Sequence, residues 1–255
     1  MDLVNKIYLW KKSELVKEIL EKYEKNLFCI INFIYFASLN SFILEQKNTD
    51  YKNALINWHF LLPDGIALKI YLKKKYKKII QENLNGTDFT PYFLNYLSNK
   101  WYKIHLWFYT VYDEKIGKSK SDFEKVKQYI EKNFRTEKIE WFISHYSKRW
   151  EDFNFDKYRQ SLSNWQYDVK LFLVGLWSPF QEIWVEKNRQ FFKDNNILVM
   201  NVWWLFDFWT NFEKRAPKII RKLNLEWLWR LGQNPKKNWK KVKESLKLFK
   251  LIFTK

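Results

Sequence analysis

The chain of 255 residues contains one cysteine, five glycines and five prolines, and its 28 acidic residues are outnumbered by 46 lysines and arginines. The single cysteine, Cys29, excludes a disulfide framework and a zinc site built on cysteines. It lies in an apolar run, where a free thiol packs as a small hydrophobic side chain. The histidines at 59, 105 and 145 are widely separated, and no Asp-x-Asp pair occurs. We therefore predict no metal site and no cofactor.

No apolar run is long and pure enough to predict a transmembrane helix. The best candidate, residues 27–44, is interrupted by Asn32, Ser38 and Asn40, which favours a buried strand running into a polar loop. The first twelve residues mix Asp2 and several lysines with apolar side chains and do not resemble a signal peptide. These features predict a cytoplasmic protein.

The composition predicts a folded, strongly basic protein. Hydrophobic residues make up 47% of the chain and aromatic residues 20%, which favours a packed core over disorder. The formal net charge of +18 calls for an anionic partner. Nucleic acid, an anionic membrane surface and a phosphorylated substrate all meet that requirement, so charge alone leaves the three open.

Segments typical of strands and helices alternate along most of the chain. Apolar residues recur at helical spacing in 13–24, with Ser13 as the expected N-cap, and an apolar, β-branched run follows at 27–37. The other predicted elements are strands at 105–112, 169–176 and 197–203 and helices at 119–134 and 182–195. This alternation predicts a parallel sheet covered by helices on both faces, and hence an α/β fold.

After Ala216-Pro217 the pattern becomes helical only, and basic residues far outnumber the two acidic ones, Glu226 and Glu244. We therefore divide the chain into an α/β domain, residues 1–212, and a basic helical appendage, residues 213–255. Apolar residues such as Trp227 and Phe249 would give the appendage the apolar side that interfacial helices use, and a solvated helix face is the alternative.

Residues 174–182 are typical of a strand end, a short loop and a helix start. Ser178 is the expected N-cap, Pro179 the first helical residue, and Gln181 would complete a capping box. One interpretation is that these residues only cap the helix. The other is that free backbone N–H groups after a parallel strand form an anion or nucleotide site.

Five motifs in this order resemble those of the WecG/TagA/CpsF family of glycosyltransferases. They are Ser38-Leu39-Asn40-Ser41, Leu62-Pro63-Asp64-Gly65, Asn85-Gly86-Thr87-Asp88, residues 174–184, and Arg215-Ala216-Pro217 together with residues 225–228. The resemblance covers nearly the whole chain and implies a Rossmann-like, mostly parallel sheet flanked by helices. It also implies an inverting, metal-independent transfer of N-acetylmannosamine, or a related hexose, from a UDP donor to N-acetylglucosamine on undecaprenyl diphosphate, in cell-surface polysaccharide or teichoic acid biosynthesis.

The resemblance also implies roles for individual residues. Asp64 would be the general base that deprotonates the acceptor hydroxyl, with Ser38 and Asn40 positioning the sugar. Arg215 or Arg221 would neutralise the diphosphate as charge develops. The remaining substrate-binding residues that it implies are Gly65, Gly86, Thr87, Asp88, Gly175, Gln181, Glu182 and Asp207.

The appendage would hold such an enzyme on the anionic inner face of the cell membrane, as a peripheral protein without a nucleic-acid partner. The alternative is a non-catalytic basic module that binds nucleic acid or membrane through basic and aromatic side chains. The basic residues concentrate in the appendage while the body keeps ordered polar motifs, which favours the transferase.

Tryptophan stands at several positions where the family has glycine, namely Trp177, Trp203 and Trp204, with Trp141 as a further candidate. At about 7% usage a chain of this length would contain roughly 18 glycines. This chain has 5, alongside 15 tryptophans. A damaged enzyme is one explanation. We hypothesise instead that the gene uses UGA as a glycine codon and that the codon is translated here as tryptophan.

Overall fold

Six parallel strands form a single sheet in the order β2-β1-β6-β5-β3-β4. The structure is a computed structural model that describes residues 3–25, 27, 29–35, 48–112, 122–145, 155, 160, 167–203, 205–223, 225–233, 235 and 239. The strands are β1 (Ile30–Tyr35), β2 (Phe60–Asp64), β3 (Ile104–Tyr112), β4 (Lys138–His145), β5 (Val169–Gly175) and β6 (Leu198–Asn201). The predicted α/β fold with a parallel sheet is confirmed.

Ten α-helices lie among the described residues, after a short 3-10 helix at Leu3–Lys6. They are α1 (Lys12–Glu24), α2 (Thr49–Asn57), α3 (Ile66–Tyr76), α4 (Gly86–Asn99), α5 (Asp122–Asn133), α6 (Phe180–Lys187), α7 (Arg189–Asp194), α8 (Leu205–Trp209), α9 (Lys218–Lys222) and α10 (Glu226–Gln233). Two of these helices, α9 and α10, lie in the predicted appendage. The predicted division of the chain at residue 212 stays a prediction.

The sheet is buried on both faces, which explains why its central strands are almost uninterrupted runs of apolar residues. On one face, side chains such as Leu106 and Leu171 pack against helices α1, α4, α5 and α8. On the other face, side chains such as Trp107 and Phe172 pack against α2, α3, α6 and α7. Adjacent side chains along one strand therefore pack on opposite faces of the sheet, as the two-residue period of a strand requires.

All six strands end at the same edge of the sheet because every neighbouring pair is parallel. At that edge Asp64 ends β2, Gly175 ends β5 and Asn201 ends β6. Helices α3, α4, α6 and α8 also begin there or soon afterwards along the chain. In open α/β sheets this crevice at the carboxyl ends of the strands is where ligands bind.

Two predicted helix starts are wrong. Helix α1 begins at Lys12 with Lys11 as its N-cap, so Ser13 lies inside the first turn. Helix α6 begins at Phe180 with Pro179 as its N-cap and without a side-chain cap, so Ser178 does not cap it and Gln181 completes no capping box. The carbonyl of residue 177 already accepts the N–H groups of residues 180 and 181, at 2.7 and 3.2 Å, which leaves a cap nothing to satisfy there.

Other boundaries also differ from the sequence prediction. The predicted helix over 182–195 is two helices, α6 and α7, which meet at Asn188. The predicted strand over 197–203 is four residues long. Strands β2 and β4 and helices α2, α3 and α4 had no counterpart among the predicted elements.

Candidate active site

Asp64 ends β2 and is followed by a glycine in a conformation that other residues rarely adopt. Gly65 has φ +91°, and no atom lies within 4 Å of the position that a Cβ would occupy there. The N–H of Gly65 donates to Oδ1 of Asn83 at 3.1 Å, and the N–H of Leu84 donates to the carbonyl of Pro63 at 3.1 Å. The turn after Asp64 is thus tied to a loop that is distant in sequence.

The N-terminus of helix α4 is organised by Asn85, a residue that favours the N-cap position. Its Oδ1 accepts the N–H of Asp88 at 2.8 Å and the hydroxyl of Thr87 at 2.7 Å, while its Nδ2 donates to Oδ2 of Asp88 at 2.8 Å. Gly86 lies beneath Phe33, whose ring atoms would be 3.1 Å from a Cβ at residue 86. The helix end is therefore fixed by both polar and apolar contacts.

Two arginines from the C-terminal segment converge on this helix end. Arg215 Nη2 lies 2.9 Å from Oδ1 of Asp88, and Arg221 Nη1 lies 2.8 Å from the same oxygen. Arg215 Nη1 also donates to the carbonyl of Thr87 at 2.9 Å, and Arg221 Nε donates to the carbonyl of Ala216 at 3.0 Å. Two positive charges share one carboxylate, so the cluster keeps a positive charge at a helix N-terminus, where anions are stabilised.

The side chains of Arg215 and Arg221 are both 23% exposed. Burial lowers the pKa of Arg215, and the nearby charge of Arg221 adds to the lowering, although Asp88 opposes it. An arginine remains protonated in proteins even so. Its Nε is buried and has no hydrogen-bond partner among the described residues. The group therefore keeps a donor to offer a ligand.

Gly175 ends β5 at a point of close approach between two elements. A Cβ at this position would stand 2.5 Å from the Cδ2 and Cε2 atoms of Phe206, and 3.4 Å from the carbonyl oxygen of residue 203. The N–H of Val202 donates to the carbonyl of Val174 at 2.8 Å, which keeps the two segments together. Glycine is therefore needed here for space.

Gln181 and Glu182 lie in the first turn of α6 and are both buried. Nε2 of Gln181 donates to Oε1 of Glu182 at 3.0 Å. Oε1 of Gln181 has no partner among the described residues, and neither does the side-chain amide of Asn201 at the end of β6. Buried polar groups are nearly always hydrogen-bonded, so water or a polar ligand would have to satisfy these atoms.

Asp207 lies in α8 and lines a cavity of about 340 Å³, counting its open mouth. The cavity is also lined by Asp122 and by the hydroxyl-bearing residues Thr110 and Thr210. Phe206 separates this cavity from Gly175, because its ring contacts that glycine. Asp207 thus faces a compartment at the β3 end of the sheet.

The predicted site residues fall into groups along one edge of the sheet. Gly86, Thr87, Asp88, Arg215 and Arg221 are brought together by direct contacts, Gln181 and Glu182 form a second group, and Asp64 and Gly65 are linked to the first through the loop at 83–85. Ser38 and Asn40 lie outside the described residues. Sequence reasoning missed Asn83, Asn85 and Asn201; of these, Asn85 carried a signal, since Asn three residues before Asp is typical of a helix start.

A sequence profile described as the Glycosyl transferase WecG/TagA/CpsF family matches residues 3–255 of the chain. The chain belongs to this family. Similar proteins include two that are named N-acetylglucosaminyldiphosphoundecaprenol N-acetyl-beta-D-mannosaminyltransferase. The protein from Bacillus spizizenii is 26% identical over 197 residues, and that from Bacillus subtilis is 25% identical over 196 residues. Each match covers 77% of this chain and 69% of the relative. As a WecG/TagA/CpsF protein, this chain is a glycosyltransferase of the hexosyltransferase class.

Two features of the described residues bear on how a WecG/TagA/CpsF enzyme would use this site. Among the described residues, no three His, Cys, Asp or Glu side chains are grouped closely enough to hold a metal ion. In the same part of the chain, no helix combines the length and the apolar character that crossing a membrane requires.

The tryptophans at family glycine positions differ in their backbone conformation. Trp203 has φ +47°, in the left-handed region that favours glycine. Trp141 is half-buried, and its ring stacks on Phe108 with centroids 6.2 Å apart. Trp204 lies outside the described residues. The conformation of Trp203 is one that favours glycine, and the hypothesis of a glycine codon stays a hypothesis at every position.

Proposed function

We propose that this enzyme transfers N-acetylmannosamine, or a related hexose, from a UDP donor to N-acetylglucosamine carried on undecaprenyl diphosphate. The reaction named for the two Bacillus relatives supports the acceptor and the sugar. The observation that carries the proposal is the edge of the sheet, where a carboxylate on a tight turn and a doubly cationic cluster at a helix N-terminus are joined by one loop. The carboxylate is suited to act as a general base, and the cationic cluster is suited to bind a diphosphate.

The chemical step follows from these two groups. The acceptor hydroxyl attacks the anomeric carbon of the donor sugar, and Asp64 takes the hydroxyl proton as the new C–O bond forms. The bond from the anomeric carbon to the diphosphate oxygen breaks, and UDP leaves with the electron pair. Attack from the side opposite the leaving group inverts the configuration at that carbon.

The negative charge that develops on the leaving diphosphate is met by Arg215 and Arg221. Planar guanidinium groups bind phosphate oxygens through paired hydrogen bonds, and they act without a metal ion. Helix α4 is 14 residues long, and its N-terminus adds a favourable dipole at the same place. Metal-independent transfer is thus part of the proposal, and the shared Asp88 would hold both arginines in place.

The other predicted residues would hold the donor. Gln181 and Glu182 would lie beside the nucleotide, and Gly175 would contribute by admitting the Phe206 ring against the end of β5. Asp207 would contact the donor from its cavity, while Ser38 and Asn40 would position the sugar. Gly65, Gly86 and Thr87 would contribute open space or backbone polar groups to the same pocket.

The C-terminal segment would hold the enzyme on the inner face of the cell membrane. The apolar side chains of Ile219 in α9, Leu223 at the C-cap of α9 and Leu228 in α10 are exposed, and so are Lys214 and Lys218. Apolar side chains that insert among headgroups, flanked by basic residues that attract anionic lipid, are typical of interfacial binding.

The test is a transfer assay with a panel of UDP sugars and a soluble diphosphate-lipid acceptor. It compares the wild-type chain, a chain with Trp177→Gly, Trp203→Gly and Trp204→Gly, and each of these with Asp64→Asn. We expect donor-dependent product that Asp64→Asn lowers by about 10²- to 10⁴-fold, the usual contribution of a general base. Absence of product from both parent chains, or full activity with Asp64→Asn, contradicts the proposal. Salt-sensitive nucleic-acid binding without transfer would support a basic binding module instead.

A further inference from the structure

The peptide that follows Asp64 is held by the side chain of Asn83. The Gly65 N–H donates to Oδ1 of Asn83 at 3.1 Å, and one residue later the Leu84 N–H donates to the carbonyl of Pro63 at 3.1 Å. Two hydrogen bonds from one loop therefore bracket Asp64, one on the residue before it and one on the residue after it.

The turn needs such support because of its position and its chemistry. Strand β2 is the outermost strand on its side of the sheet; it pairs with β1 on one side and, on the other, is bridged to Ile7 at Leu61 alone among the described residues, three residues before Asp64. Gly65 has the widest conformational freedom of any residue type, and its φ of +91° is one of several conformations open to it. A fixed acceptor for its N–H selects one orientation of the peptide that joins it to Asp64.

We propose that Asn83 is a positioning residue for the transfer reaction. Its carboxamide holds the peptide between residues 64 and 65 and thereby directs the Asp64 carboxylate toward the acceptor hydroxyl. The proposal rests on the proposed function, in which Asp64 is the base. A displacement of about 1 Å in a reacting group costs on the order of 10²-fold in rate, so one hydrogen bond at this turn can control turnover.

The same loop also reaches the cationic cluster. Asn85, two residues after Asn83, caps α4 and accepts Arg215 Nη2 at 3.4 Å. Residues 83–85 therefore set the distance between the base and the arginines that face the diphosphate. In the proposed transfer step, the base acts on the attacking hydroxyl and the arginines act on the leaving group, so this distance affects how the two substrates are placed relative to each other.

The experiment measures kcat and the donor KM of the full chain with Asn83→Ala, Asn83→Asp and a matched control, Asn133→Ala. Asn83 and Asn133 are both exposed, and Asn133 donates to the Tyr129 carbonyl at 2.7 Å on the end of α5. We expect Asn83→Ala to lower kcat by about 10- to 100-fold with KM changed less than two-fold. Asn83→Asp should recover most of kcat because its carboxylate accepts the same N–H. Asn133→Ala should match the wild type.

The possible outcomes distinguish a failure of the Asn83 proposal from a failure of the proposed transfer function. Wild-type kcat in Asn83→Ala, with an inactive Asp64→Asn, overturns the positioning role and leaves the transferase intact. A lowered kcat that Asn83→Asp does not restore also overturns it. Full activity in Asp64→Asn would show that Asp64 is not the general base, and this result contradicts the proposed function. Thermal unfolding of each variant within a few degrees of the wild type shows that the comparison concerns folded protein.

A separate observation concerns Trp101, at the C-terminus of helix α4. Trp101 has φ +61° and follows Lys100, the C-cap. Its N–H donates to the carbonyl of Ser98 at 3.1 Å, and the N–H of Tyr102 donates to the carbonyl of Leu97 at 3.1 Å. This pair of bonds is the Schellman motif, whose left-handed residue is usually glycine. The Trp101 side chain is 71% exposed, and the Arg135 guanidinium stacks on its outer surface, 3.9 Å from the ring centroid.

Trp101 and Trp203 are the tryptophans with positive φ among the described residues. Trp58 is a clear contrast, because it is buried and its indole N–H donates to Oε2 of Glu186 at 3.1 Å. We infer that residues 101 and 203 are glycine in the protein as its source organism makes it, encoded by UGA, while residue 58 is tryptophan. The backbone conformation therefore identifies residue 101 as a candidate glycine, although the family motifs do not include this position.

Peptide mass spectrometry of the protein isolated from its source tests this inference, together with the codons at the same positions. We expect glycine and UGA at 101 and 203, and tryptophan and UGG at 58. An intact indole at 101 or 203 overturns the inference for that position. Glycine at 58 overturns the structural criterion itself, since that indole makes a buried hydrogen bond.

Discussion

The ring of Phe206 lies directly against the backbone of Gly175, at the point where β5 ends. A Cβ on Gly175 would stand 2.5 Å from two atoms of that ring, well inside van der Waals contact. Because Asp207 follows Phe206, the same contact positions a predicted substrate-binding carboxylate. The spacing between the end of β5 and helix α8 therefore depends on residue 175 having no Cβ atom.

We therefore expect Gly175→Ala to lower both stability and transfer activity. The ring must move to admit the methyl group, and overpacking of this kind costs about 1–3 kcal/mol of unfolding free energy. Chemical denaturation and the donor KM measure the two effects. The matched control is Gly232→Ala, where no atom lies within 4 Å of the added Cβ. Equal behaviour of the two variants would mean that the Phe206 contact does not constrain the site.

Arg215→Lys tests the geometry of the cationic cluster, as distinct from its charge. A lysine keeps the positive charge but cannot contact the Thr87 carbonyl and the Asp88 carboxylate together, as the two Nη atoms of Arg215 do. We expect kcat/KM for the donor to fall about 10- to 100-fold, the equivalent of one or two lost charge-assisted hydrogen bonds. Arg135→Lys, on an arginine that stacks over Trp101, is the control and should leave kcat/KM unchanged. Wild-type kinetics in Arg215→Lys would assign the cluster a structural role only.

His105 predicts a dependence of stability on pH. It is buried, and its Nε2 accepts the indole N–H of Trp107 at 2.7 Å, which requires the neutral ring. Burial lowers the pKa of His105 below its usual 6.5, although Glu140 opposes the shift. Between the lowered pKa and 6.5 the unfolded chain binds more protons than the folded one. The contribution of His105 is therefore complete above pH 6.5 and is lost as the pH falls below it.

Urea denaturation of the wild type and of His105→Gln over this range of pH measures that contribution. A glutamine oxygen can accept the same indole N–H without titrating, so we expect the unfolding free energy of the variant to fall less on acidification. Parallel curves for the two proteins would show that His105 is not the group responsible. Transfer activity need not change, because His105 lies near the start of β3, away from the carboxyl ends of the strands.

The sequence was informative wherever strands are buried on both faces. The β-branched and aromatic runs that form β3 and β5 were predicted within one residue of their observed bounds, because such strands are almost continuously apolar. Strand β2 was interpreted as the approach to a turn because it is short and contains Pro63, which an outermost strand tolerates. Strand β4, on the other outer position, has polar residues near both ends and only three consecutive apolar residues, Trp141-Phe142-Ile143.

For the candidate site, the sequence identified residues that belong to motifs but not the long-range contacts between them. Asp88 and Arg215 could be named from motifs, but nothing local in the sequence indicates that they meet, because 127 positions separate Arg215 from Asp88 and only the fold closes that distance. Asn83 carries no motif of its own, since its role depends on a hydrogen bond to a residue 18 positions earlier. The N-cap expected at Ser178 failed because a backbone carbonyl satisfies the same N–H groups.

The exposed apolar residues of α9 predict how the enzyme binds lipid. Ile219 and Leu223 are 72% and 61% exposed, and insertion of two such side chains into the headgroup region contributes about 1.5–3 kcal/mol each. We expect the double variant Ile219→Asp and Leu223→Asp to bind vesicles containing phosphatidylglycerol at least tenfold more weakly in cosedimentation. Added salt alone should weaken binding only in part, because the apolar contribution is not screened.

Leu27→Asp is the matched control for this measurement. Leu27 is 52% exposed and precedes β1, at the opposite edge of the sheet from the strand ends that carry the site. Its substitution adds one negative charge and removes one apolar side chain, as each substitution at Ile219 or Leu223 does. Wild-type lipid binding by this variant would show that the location of the substituted residue, and not the change in charge and apolar content, determines binding. If Leu27→Asp weakens binding as much as a single Ile219→Asp, attraction of the whole basic chain to the lipid explains the association, and α9 has no special part in it.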